Sequence, residues 1–232
     1  LNFTNAGTLR RTTSAGTVSI TCAFTNTGTV AVETGTLYFG GGVTNVGTVS
    51  VSVGATVNLN GASVQGGSAS SVAGTLTLSG NVSGTITGTG LVADSLSGNC
   101  TIAGSVTLTG SLSGNVTVAA GGTLVIDGTQ HAVRGTLTNS GTVVLKAGTI
   151  TGFKDGGSVA AAIINQAGAV FEVQGDASMQ EYQSAGLNFT NAGTLRRTTS
   201  AGTAYIGCAF TNTGTVAVQT GTLYLYGAVS NG

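Results

Sequence analysis

The chain has 232 residues, of which 40 are Gly and none is Pro or Trp; 41% are hydrophobic, only 6% are charged, and seven basic residues cancel seven acidic ones. A neutral chain cannot gather phosphates or an anionic membrane surface, so nucleic acid is not an expected partner, and no apolar run approaches the roughly 20 residues that span a bilayer. Disorder needs lower hydrophobicity or more net charge than this, while Val, Thr, Leu, Ile and Ala alternating with Gly, Ser and Asn suit short strands and tight bends.

From the N-terminus the chain repeats itself on two scales. Residues 1–46 match residues 187–232 without a gap at an offset of 186, with 37 of 46 positions identical. Residues 1–186 therefore read as one complete unit, and 187–232 as the start of the next on one continuous solenoid. Within the unit a shorter motif recurs: an apolar residue, any residue, Asn, any residue, Gly, Thr, then alternating apolar positions. It begins at Phe3-Thr4-Asn5-Ala6-Gly7-Thr8 and returns around Asn26, Asn45, Asn139 and Asn165, then around Asn191, Asn212 and Asn231. A second motif follows most copies, as in Gly35-Thr36-Leu37-Tyr38-Phe39 and Gly74-Thr75-Leu76-Thr77-Leu78.

Anchors fall at Phe3, Phe24, Val43, Val64, Val82, Cys100, Val116, Leu137, Ile163 and Phe189, the middle ones placed by spacing because they lack the Asn. Steps of about 19 to 21 residues holding two or three short strands have the length of one coil of a parallel β-helix, which makes the expected fold an all-β parallel β-solenoid. Such coils stack about 4.8 Å apart, giving nine coils and roughly 43 Å per unit. The recurrent Asn is expected in one column along one edge, each amide bonded to the Asn above and below, with the following Gly relieving the bend. An antiparallel sandwich or barrel is the competing fold, but it gives no reason for one Asn-x-Gly per coil length.

Two longer steps are expected to leave the stack as loops, near 151–160 and 174–185. They hold Phe153, Lys154, Asp155, Met179, Glu181 and Tyr182, the candidate contact residues for a ligand, a neighbouring rod or the next segment, against a plainer reading as solvated loops. The tandem Arg10-Arg11 and its copy Arg196-Arg197 read as a solubilising corner or, less simply, as one face of an anionic glycan site.

The densest cluster with catalytic residue types is Asp127, His131 and Arg134, whose acid, base and cation resemble the needs of a polysaccharide-cleaving groove. The acids are otherwise scattered without a pair, so these three are weak groove candidates and no enzyme is expected. No zinc spacing, calcium-binding repeat or phosphate loop is present, and no cofactor is expected. Three cysteines do not make a disulfide framework, and Cys22, Cys100 and Cys208 read as small buried hydrophobes. Thr-x-Thr pairs at Thr75/Thr77, Thr85/Thr87 and Thr107/Thr109 keep an ice-binding face in play as an alternative.

The Phe-Thr-Asn-x-Gly-Thr and Gly-Thr-Leu-Tyr motifs together resemble the repeat regions of large bacterial surface proteins: autotransporter passengers, filamentous-haemagglutinin-like adhesins and giant cell-surface repeat proteins. That resemblance implies secretion, a parallel β-helix and a role in adhesion, spacing or matrix, and it carries over no functional residue. The near-identity of units 186 residues apart suits a protein whose useful property is reach. Neither end shows a polar cap, so the expected partners are further repeats or other copies of the chain, laterally or end to end, with cell-surface glycans as a second class.

Overall fold

The computed structural model describes the whole chain apart from residues 61, 65–69, 80–81, 83, 89–90, 155–159 and 183–185. The described residues are all β, without a helix, and each strand pairs in parallel with the strand one coil away. The strands stack in three ladders, one per side of the coil. One ladder runs from end to end through eleven strands: Thr17–Ile20, Thr36–Phe39, Thr56–Leu59, Thr75–Leu78, the start of Leu91–Ile102, the start of Ser105–Val118, Thr123–Ile126, Thr142–Leu145, Val170–Val173, Thr194–Arg197 and Thr215–Val218. The fold is a parallel β-solenoid of about eleven coils.

Why these residues form these strands is visible in their alternation. In Thr29–Val32, Thr36–Phe39, Thr123–Ile126 and Thr142–Leu145 the second and fourth residues are buried and the others half-exposed. Each strand so contributes two apolar side chains to a narrow core, which no single coil could close. Phe24 stacks on Phe39 at 4.4 Å between ring centroids, and Phe171, Phe189 and Phe210 form a second aromatic column at 5.0 and 5.2 Å.

Two spacing-based anchors are displaced. Ala62, not Val64, pairs with Val43, which leaves Val64 opposite Asn45. Gly84, not Val82, pairs with Cys100, and Val82 instead donates its N–H to Ser97. Both errors are slips of two residues, the period that a strand's alternation cannot detect when no Asn marks the corner.

Thr17–Ile20 and Thr194–Arg197 lie nine coils apart on the same ladder, but Thr194 is the copy of Thr8; the copy of Thr17–Ile20 is Thr203–Ile206, one side further on. One unit thus makes nine coils and one extra side out of three, and the second copy is displaced around the rod by one side relative to the first. The Asn residues accordingly form two columns on two edges, not one. In the first copy the strand after the Asn belongs to the ladder of Thr8–Arg11 and Thr29–Val32; from Asn139 onward it belongs to the eleven-strand ladder.

Candidate functional site

Each Asn column is a ladder of amides, buried from Asn5 to Asn45 and from Asn139 to Asn212 and exposed only at Asn231. Asn5 donates through Nδ2 to Asn26 Oδ1 at 2.7 Å and Asn26 to Asn45 at 2.7 Å. On the second edge Asn139, Asn165, Asn191, Asn212 and Asn231 are joined in the same sense at 2.7, 2.7, 2.7 and 2.8 Å. Most of these amides also donate to a carbonyl of the neighbouring turn, such as Thr29 O from Asn5 and Val170 O from Asn139. A buried amide otherwise costs a few kcal/mol, and its satisfaction along each column makes that corner a structural spine.

The boundary between the two copies is where the scarce charge collects. Val170–Val173 of the first unit pairs with Thr194–Arg197 of the second. Across this junction Arg196 points outward and forks onto Glu172, with Nε 2.8 Å from Oε2. Arg197 points inward, is 0% exposed, and donates to Asp176 Oδ1 at 2.7 Å and to Gly175 O at 2.6 Å. Burial pushes the Glu172 carboxyl up, but hydrogen bonds from Gln174, Arg196 and Thr198 with the charge of Arg196 outweigh it and hold the group below its ordinary value. Asp176 is also held low, by the Ser200 hydroxyl and then by Arg197. The tandem arginine is therefore a clamp between units, not a solubilising corner. In the first copy Arg10 finds its acid on the next coil, Glu33 at 2.6 Å, where the second copy has Gln219.

The candidate contact residues separate. Met179 is 1% exposed and lies inside the strand Ser178–Glu181, so it fills the core instead of offering a contact; the alternation of that strand turns it inward. Glu181 ends the same strand, half-buried, and Lys154 is exposed. Asp155 lies outside the described residues. Phe153 and Tyr182, one coil apart, pack ring to ring at 4.8 Å, and the guanidinium of Arg134 lies 4.2 Å from the Phe153 centroid. Two groups separated by sequence thus meet in one cation–aromatic column along an edge.

The remaining groove candidates do not converge. His131 is 1% exposed and faces the core, where its Nδ1 lies 2.9 Å from Gly110 O, so that nitrogen carries the proton; Nε2 is buried without a partner. Asp127 is engaged by Lys146 at 2.6 Å on the surface. The Thr-x-Thr pairs differ in their surroundings: Thr77 is followed along its file by Val92, Thr107 and Val125, whereas Thr85 continues as a single file through Thr101, Thr117 and Thr138. Burial raises the thiols of Cys100 to about 11 and of Cys208 to about 12. Among the described residues no cluster of His, Cys, Asp or Glu could hold a metal ion, and no helix is long and apolar enough to cross a membrane.

No protein-family model, curated protein or solved structure matches this chain. The arrangement offers satisfied amide spines, a charged clamp between units and one aromatic edge.

Proposed function

We propose that the chain is a segment of an extracellular bacterial fibre or adhesin stalk, a structural element without catalytic activity or cofactor, lengthened by tandem units. The observation that carries this reading is the passage of the eleven-strand ladder straight through the boundary between copies, with both arginines of the second unit paired to acids of the first. A unit that ends by presenting Glu172 and Asp176 to the next unit's Arg-Arg can be added again without a new interface. Because each unit advances by one side, an array would show its aromatic edge on three sides in turn and return to phase after three units.

The test is imaging. Chains carrying one, two and three units should appear by negative-stain electron microscopy as rods of constant width whose length grows by about 45 Å per unit. A compact particle, or a length that does not scale with the number of units, overturns the reading.

A further inference from the structure

The nine differences between the two copies are not scattered. Three of them, Ser19 to Tyr205, Thr21 to Gly207 and Gly40 to Tyr226, act on one patch together with Tyr224, the copy of Tyr38. Tyr205, Tyr224 and Tyr226 point outward from the ladder holding Ser178–Glu181, Thr203–Ile206 and Thr222–Leu225, and are 44%, 54% and 53% exposed. Tyr224 and Tyr226 are near-parallel, with centroids 5.9 Å apart and planes at 25°, and Tyr205 stands edge-on to both at 6.0 and 6.4 Å. Gly207 is part of the device: any side chain there would collide with the Tyr226 ring, which lies across it. The first copy has neither the ring nor the glycine. The outward files that continue from this patch along the rod are Ser178 and Thr149 in one, Gln180 and Thr151 in the other, with no charged side chain in either.

We infer that this face of the second copy is a stacking site for a neutral polysaccharide lying along the rod. Two observations choose that occupant. Tyrosine rings at half exposure stack readily on the C–H face of a pyranose, and their hydroxyls hydrogen-bond at the rim. The neighbouring files offer hydroxyls and an amide at the coil repeat of about 4.8 Å, close to the rise per sugar of an extended β-linked glycan, and no charge to favour an ionic ligand. The inference does not depend on the fibre reading, since a rod of any purpose could carry it.

The test uses the full chain in native gels containing hydroxyethylcellulose, laminarin or dextran, with alginate as the charged control. Tyrosine emission gives an independent titration, because the chain has no Trp to mask it. Retardation is expected with at least one neutral polymer and not with alginate. It should weaken about tenfold with Tyr226→Ala. It should vanish in the triple variant Tyr205→Ser, Gly207→Thr, Tyr226→Gly, which restores residues the first copy already folds with. Retardation that survives in the triple variant, retardation by alginate alone, absence of retardation by all three neutral polymers, or a dimer that the triple variant dissolves would each overturn the assignment.

Discussion

The coils that carry the Asn ladders and the coils between them solve the same problem, turning a parallel strand through a corner, with different chemistry. From Asn139 onward the corner is wide: a buried amide stands in for the missing strand bonds, steps of 19 to 26 residues leave room for extra chain, and the core holds Phe171, Phe189 and Phe210. Between Gly84 and Val116 each coil is 16 residues, and the Asn position is taken by Ile86, Ile102 and Val118. Here Leu91–Ile102 and Ser105–Val118 run as continuous strands through the preceding corner, bent at Gly98 and Gly114 at φ of 107° and 123°, and stop where the Asn would stand. The core of these coils is aliphatic, from Leu96 and Leu112 to Val116, because so short a perimeter has no space for a phenyl ring. Polar spine and glycine hinge thus serve adjacent corners: the amide brings its own hydrogen bonds where a strand stops, whereas the glycine keeps the backbone ladder unbroken where a strand runs on, and its column continues to Gly135 in the coil of Asn139.

The sharpest way to break this contrast is Gly114→Ala. A Cβ there would collide with the carbonyl of Gly98 directly beneath it, in a backbone conformation that side chains rarely adopt. A loss of about 4 kcal/mol or more in urea unfolding is expected, and a loss below about 1 kcal/mol would show that the short corner is not a glycine hinge. Next comes the exchange of amide and aliphatic side chains along the Asn column. Asn165→Leu strips Asn139 of its acceptor and Asn191 of its donor and should cost about 2 to 3 kcal/mol, while Val118→Asn buries one amide among aliphatics next to Asn139 and should cost less, about 1 to 2 kcal/mol. If Val118→Asn proves stabilising, the ladder can be extended into the short coils and the division between the regions is one of sequence alone.

The smallest effect is that of pH at the junction. Glu172 and Asp176 have folded values held below their ordinary 4.5 and 3.8, so their contribution is fully present above those values and is lost as pH falls through the folded ones. Thermal stability should decline below about pH 4.5, and the double variant Glu172→Gln, Asp176→Asn should flatten that decline by comparison of melting curves at pH 7 and pH 3. An unchanged slope would mean that the clamp adds nothing to the joint between units.

Much of this was readable in advance. The alternation of Thr-Val-x-Val and the recurring Asn-x-Gly imply parallel coils and buried amide ladders, because period-2 burial and corner chemistry are local properties of a few residues. The register through the middle coils was not readable, since Ala62-Ser63-Val64 and Gly84-Thr85-Ile86 fit the same alternation two residues either way. Nor was the placing of single side chains: Met179 looked like a loop residue, Arg197 like a solvated one, and His131 like a groove base, yet all three are buried.

The sequence by itself determined that this protein is a stack of coils held by local repeats, because each coil's apolar pair and each corner residue act over a few positions. Only the tertiary structure decided which side of the rod each copy faces. That the unit closes after nine coils and one side is a sum over every corner in 186 residues, and one uncounted corner moves the Asn spine, the arginine clamp and the tyrosine patch to another side.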